Sequence, residues 1–122
     1  MNFLDGALSQ KNDRVWVSGD GFSMPLSAEL SSKLKDAKDS DVYVGIRPSS
    51  LSLDNDLEAS ITLKVSVAEY LGTTSVLSTR CGDAEVLVEI NSTRRVQSGE
   101  TVTFGVKPED IMIFDRKSEI RF

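Results

Sequence analysis

A chain of 122 residues with 39% hydrophobic and 27% charged side chains has the composition of one ordinary globular domain, long enough to bury roughly two-thirds of its unfolded surface. Its 14 basic and 19 acidic residues leave a net charge of −5, which argues against a nucleic-acid partner, because phosphate binding needs a basic surface. One cysteine, Cys81, and no histidine exclude an intrachain disulfide, a zinc site of the usual Cys/His kind and a histidine-assisted nucleophile, and no apolar run approaches the roughly 20 residues of a membrane-spanning helix.

In chain order, residues 3–8 read as a short strand. Val15, Trp16 and Val17 lead into the turn at residues 18–21, and Phe22 to Leu26 returns, a hairpin signal. Trp16 falls on the opposite face from Val15 and Val17, where it either covers one end of the core or meets a partner. Ser27 is placed to cap a helix over residues 27–38, whose stripe of Leu30, Leu34 and Ala37 is narrow, as for a helix lying on a sheet. The mixed-sign stretch that follows, with Asp36, Asp39 and Asp41, reads as a solvated face rather than an ion site.

Residues 42–53 then introduce a unit that returns sixty residues later at 102–113. Each copy is an alternating strand (Val42, Val44, Ile46; Val102, Phe104, Val106), a basic residue and a proline, then a shorter alternating strand (Leu51, Leu53; Ile111, Ile113). Proline cannot donate to a ladder and fixes its own φ, so Pro48 and Pro108 stop the first strand of each copy. Gly45 and Gly105 sit inside these strand patterns, where glycine costs stability unless the backbone bulges or another segment passes close.

Between the copies, Asp54 to Asp56 forms a turn, and Ile61, Leu63, Val65 and Val67 alternate with polar residues in the longest strand pattern. Turns at Leu71-Gly72 and at Cys81-Gly82-Asp83 make a meander, and a polar connection from Asn91 to Glu100 delivers the chain to the second copy. Residues 115–122 read as a charged tail. Short strands with turn signals every 8 to 12 residues and one helix predict an all-β chain, a small OB-like or Mop-like barrel of antiparallel strands with an internal strand-Pro-strand repeat. The expected map is N-terminal strands at 1–26, the helix at 27–38 and an OB-like core at 42–115 with five strands between 42 and 106.

The opening Met1-Asn2-Phe3-Leu4-Asp5-Gly6, the unit Val44-Gly45-Ile46-Arg47-Pro48, the stretch Glu69-Tyr70-Leu71-Gly72, the turn Ser98-Gly99-Glu100 and the close Val106-Lys107-Pro108-Glu109-Asp110 follow one another in order. Together they resemble the C-terminal regulatory region, the transport-associated OB (TOBE) domain, of ATP-binding subunits from maltose- and glycerol-phosphate-type ABC sugar importers. The resemblance covers nearly the whole chain and implies that it is a fragment of a longer subunit, with Gly45, Arg47, Pro48, Leu71, Gly72, Gly99, Gly105, Pro108 and Glu109 as motif residues. The chain departs from the family at Ser49, where the usual residue is glutamate.

With no G-x-x-x-x-G-K-[ST] phosphate loop, the chain is expected to bind no ATP and no other cofactor and to be no enzyme itself. The resemblance implies a homodimer through this domain, contact with the parent subunit's nucleotide-binding domain and through it the membrane subunits, docking of a regulatory protein, and a cytoplasmic place at the inner membrane face. Trp16, Tyr43, Tyr70, Arg94 and Arg95 are the interface candidates. The alternative is a Mop-like domain binding a small oxyanion through Thr73-Thr74-Ser75 and Thr93-Arg94-Arg95, which offer hydroxyls and positive charge. A free-standing OB domain for single-stranded nucleic acid would need aromatics interleaved with basic residues along a groove; Phe104 and Phe114 are instead assigned to the core. Replacing Gly105 by valine is expected to cost ~1–3 kcal/mol, and an unchanged melting temperature would show that its site is neither strained nor crowded.

Overall fold

A computed structural model describes residues 1–35, 41–53, 56–91 and 95–122. Nine strands run β1 (Asn2–Lys11), β2 (Arg14–Gly19), β3 (Phe22–Pro25), β4 (Asp41–Ile46), β5 (Ala59–Leu71), β6 (Thr74–Cys81), β7 (Ala84–Asn91), β8 (Thr101–Val106) and β9 (Met112–Asp115). A helix α1 (Ala28–Leu34) follows β3, and 3₁₀ turns follow both prolines, at Pro48–Ser50 and Pro108–Asp110. The chain is all-β in class, as its patterning predicts, and among the described residues no helix is long and apolar enough to cross a membrane.

The strands form two antiparallel sheets, ordered β3-β2-β1-β4-β9 and β7-β6-β5-β8. Two-residue loops at 12–13, 20–21, 72–73 and 82–83 join β1 to β2 to β3 and β5 to β6 to β7. In the first of these both Asn12 and Asp13 take positive φ, of 53° and 61°, the left-handed pair that matches the twist of the flanking strands. Alternation then decides burial: Leu4, Leu8, Val15, Val17, Val42, Val44, Ile61, Leu63, Leu77, Val86 and Val88 from both sheets meet in one core with Phe104 fully buried among them.

The five strands expected between 42 and 106 are present, but they do not form one set, because β4 joins the sheet of β1 to β3. The two repeat copies explain this. Arg47 and Lys107 hold nearly the same extended conformation (φ −72° in both, ψ 144° and 131°) that a following proline imposes. Each proline opens a 3₁₀ turn closed by an equivalent hydrogen bond, Ser50 N to Arg47 O (2.9 Å) and Asp110 N to Lys107 O (2.8 Å), and the second turn adds Ile111 N to Pro108 O (3.2 Å). Beyond the turns the copies cross over. Gly45 of the first copy pairs with Met112 of the second, and Gly105 of the second pairs with Ser52 of the first through bonds of 2.9 and 2.8 Å in both directions. Sixty residues separate the members of each equivalence, Gly45 with Gly105 and Ser52 with Met112, so each sheet receives its last rung from the other half.

The exchange is unequal. The alternating Leu51 and Leu53 predicted a second strand in the first copy, yet only the Ser52 rung forms there, whereas the second copy continues through β9. Leu51 turns into the core, and the chain must then leave to begin β5 at Ala59. The helix too is shorter than expected, ending at Leu34; Asp36, Ala37, Lys38 and Asp39, like the Asp54-Asn55 part of the predicted turn, lie outside the described residues. Ser27 caps it as the sequence suggests, its Oγ accepting from Leu30 N (3.2 Å), and Ser31 Oγ accepts from Val15 N (3.1 Å) to bind α1 to β2.

One side chain stitches the two sheets together. Asn2 is buried at the start of β1, and its amide donates to Leu87 O (2.7 Å) and accepts from Leu87 N (2.8 Å), so it serves the β7 edge as a backbone would. Removing it strands a donor and an acceptor at a part-buried site. Asn2→Ala is therefore expected to cost ~1–3 kcal/mol and to speed hydrogen exchange at the Leu87 amide above its neighbours on β7; equal exchange along that strand would show the clasp to be unimportant.

Candidate functional site

Side chains that alternate out of the core define the surface a partner would meet. On the outer face of the first sheet, β1 sends out Phe3 and Asp5, β4 sends out Tyr43 and Gly45, and β9 sends out Met112 and Phe114, aligned by the pairs Phe3↔Gly45, Asp5↔Tyr43, Tyr43↔Phe114 and Gly45↔Met112. Gly45 makes room here: a Cβ on it would lie 2.8 Å from Phe114 Cε2 and 3.4 Å from Met1 Sδ. The Phe114 ring occupies that space and meets Phe3 edge to face, with centroids 5.5 Å apart. Phe3 stays 53% exposed and Met1 51%. With Tyr43 and Glu119 the two phenylalanines line an open recess of about 360 Å³.

Charge frames this aromatic centre. The Arg116 guanidinium lies 5.7 Å from the Tyr43 ring centroid and 3.8 Å from an Asp5 carboxylate oxygen. Behind Arg116 the tail folds back on β9: Asp115 N donates to Ile120 O (2.9 Å) and Phe122 N to Ile113 O (2.9 Å). The turn is tied by Asp115, whose carboxylate accepts from Ser118 Oγ (2.7 Å) and Ser118 N (3.2 Å). These bonds favour the charged form and hold the Asp115 carboxyl below the usual aspartate range.

A second cluster sits at the tip of the β5–β6 hairpin. Tyr70 donates its hydroxyl to Val96 O, and Arg95 stacks its guanidinium 4.9 Å above the Tyr70 ring, so the structure joins two interface candidates that are 25 positions apart in sequence. Leu71 beside them is 62% exposed, and Gly72 turns the chain with a φ of +71° that other residues adopt at a cost. Gly99, at φ +89°, directs its N–H to Val65 O (2.7 Å), and Glu100 O takes Val65 N–H (2.9 Å), anchoring the polar connection to β5 where its register shifts.

The remaining candidates are scattered. Trp16 is half-buried on the outer face of β2, covered by the Lys11 ammonium 5.4 Å from its ring rather than by the core. Arg47 and Glu109 are exposed at the two proline turns, Pro108 is buried and Pro48 half-buried. Gly105 is buried between Ser52 and Ser60. Of the oxyanion candidates, Thr74 donates its hydroxyl to Asn91 Oδ1 (2.7 Å) and Ser75 is buried, while Thr93 and Arg94 lie outside the described residues. Cys81 is buried with its thiol bonded to Asp20 O (3.3 Å), and desolvation followed by the Asp20 charge pushes its pKa up, so it is a packing residue. Among the described residues no group of three acids or thiols is placed to hold a metal ion.

By sequence alone none of Phe3, Asp5 and Arg116 is a contact candidate, and Phe114 is assigned to the core. Phe114 is corrected from core to outer face because Ile113, not Phe114, is the inward residue of β9. The signal available was the position of Gly45 two residues after Tyr43 on the same face of β4, since a glycine on an outer face marks something lying across it.

The family model of the TOBE domain matches residues 44–114, and that of the MalK OB fold domain matches residues 1–51. The sn-glycerol-3-phosphate import ATP-binding protein UgpC of Salmonella choleraesuis is 28% identical over 94% of this chain and 31% of its own length. The sulfoquinovosyl glycerol transport ATP-binding protein SmoE of Agrobacterium fabrum is 29% identical over 98% of this chain and 32% of its own. The chain thus spans about a third of the length of these relatives. Among solved structures, the cytoplasmic molybdate-binding protein ModG aligns with a TM-score of 0.67 over 92% of this chain and 94% of its own, at 14% identity, a likeness of fold.

The depressed Asp115 pKa means that the stability contributed by its bonds to Ser118 is present above the ordinary aspartate range and is lost as pH falls through the lowered value. An NMR titration is expected to find the Asp115 midpoint below that of an unperturbed aspartate and to find it raised by Ser118→Ala, which removes the hydroxyl bond and keeps the backbone one; an ordinary midpoint in the unsubstituted chain would show that the turn does not hold in solution.

Proposed function

Because this chain belongs to the TOBE domain family, we propose that it is the non-catalytic regulatory and dimerisation domain of an ATP-binding subunit in an ABC importer of carbohydrate, a sugar or a glycerol phosphate. The observation that carries the proposal is the pattern of coverage: import ATP-binding proteins match this chain from end to end while using about a third of their own length, as expected of one accessory domain in a larger subunit. The nucleotide-binding domain and the membrane subunits are then its neighbours in the assembly. ATP chemistry belongs to that other part of the subunit.

The physical role follows from mass action. Two ATP-binding domains that must separate and reclose do so faster and in the right register if a lasting contact elsewhere makes reclosure intramolecular. The clustered aromatics offer the kind of anchors that lasting contacts use. A regulatory protein would gain access to the exposed surface that such a contact leaves free.

The purified chain is expected to release no phosphate from MgATP above the buffer blank, to show no MgATP-dependent rise in melting temperature, and to sediment as a dimer. Hydrolysis that tracks the folded chain would remove the non-catalytic assignment. Sedimentation as a monomer at every concentration tested would remove the dimerisation role.

A further inference from the structure

We infer that the outer face of the first sheet, centred on Phe3, Tyr43 and Phe114, is the surface that receives a second copy of this chain; the inference rests on the self-association proposed above and adds its location.

The molecule contains its own control. Phe3 stands opposite Gly45 as Ser60 stands opposite Gly105, and Asp5 stands opposite Tyr43 as Thr62 stands opposite Thr103. At matching places on equivalent strands one sheet carries Phe3 and Tyr43 and the other carries Ser60 and Thr103, with the Thr62 and Thr103 hydroxyls bonded at 2.8 Å. The same ladder and the same proline turn are therefore built with hydroxyl side chains, and the fold does not require aromatics at these positions. An exposed aromatic cluster that the fold does not require has a use at a contact.

The sheet edges leave a second copy little else. At the β7 edge the Leu87 N–H and C=O are taken by Asn2; the β8 edge is met by Ser52, the β9 edge by the returning tail, and β3 ends in Pro25, which has no N–H. Strand addition between copies is interrupted at these places, which favours contact through a face. A two-fold contact needs a surface complementary to itself, since residue i meets residue j and j meets i. This face has that pattern: an uncharged aromatic centre with Asp5 and Glu119 on its rim and Arg116 beside them, so that each copy offers both signs to the other. At a net charge of −5 per chain, that local balance lets two acidic molecules approach.

The test exchanges residues between the halves. Phe3→Ser and Tyr43→Thr install what the second half carries at the matching positions, and Val67→Ser and Leu87→Ser trim exposed apolar residues (50% and 41% exposed) of the second sheet as contrasts. Sedimentation equilibrium on the full chain is expected to show a dimer that Phe3→Ser and Tyr43→Thr each weaken by ~10- to 30-fold, with Val67→Ser and Leu87→Ser close to the unsubstituted value and melting curves confirming folded protein throughout. A dimer weakened by the second-sheet variants instead, or untouched by Phe3→Ser and Tyr43→Thr, overturns this location and leaves self-association standing. A chain that is monomeric throughout overturns both. Since Tyr43 is half-buried, the more exposed Phe3 provides the reading should Tyr43→Thr fail to fold.

Discussion

The rung between Gly45 and Met112 and its counterpart between Gly105 and Ser52 are the constraint on which the architecture depends. Each half of the chain builds a three-strand meander and a fourth strand, then hands its terminal segment to the other half. Neither sheet is complete without residues from the opposite end of the sequence. The long-range closure entropy is met once, at the two proline turns, where the preceding extended residue and the fixed φ of proline aim the chain across the molecule with little freedom left to lose.

That crossing also governs where the chain is exposed. The second copy's segment lies along β4 and Ser52 bridges β8 at Gly105, while Asn2 and the C-terminal turn take ladder groups of β7 and β9, so each of these strands has part of its backbone met by a distant segment. Variation is left to the outer faces. The two halves use that freedom differently, with aromatic rings on one sheet and threonine hydroxyls at the matching places on the other.

Much of this was legible in the sequence, for physical reasons. Alternation at Val42, Val44 and Ile46 and at Val102, Phe104 and Val106 reports burial directly, and Pro48 and Pro108 report strand ends, so the repeat and the all-β class could be read. The helix start at Ser27 was equally plain, because capping is local. What could not be read was set by contacts distant in sequence. Nothing near Asn2 announces Leu87, 85 positions away. The reach of β1 to Lys11 depends on Asn12 and Asp13 accepting left-handed backbone, which their neighbours do not signal as glycine would. Phe114 was assigned to the core although the alternation of Ile111 and Ile113 already placed it on the other face, and one residue along a strand is enough to reverse a face. Leu51 and Leu53 carried a strand's alternation, yet Ser52 between them makes a single rung.

The position of β4 between β1 and β9 has a mechanical side. Both neighbours run antiparallel to it and hence parallel to each other, with the chain entering beside Ile46 and β9 leaving beside Val42 at the opposite end. A pull on the two termini, once the short tail had peeled away, would slide these strands lengthwise past β4 and load their hydrogen bonds side by side instead of opening them one after another.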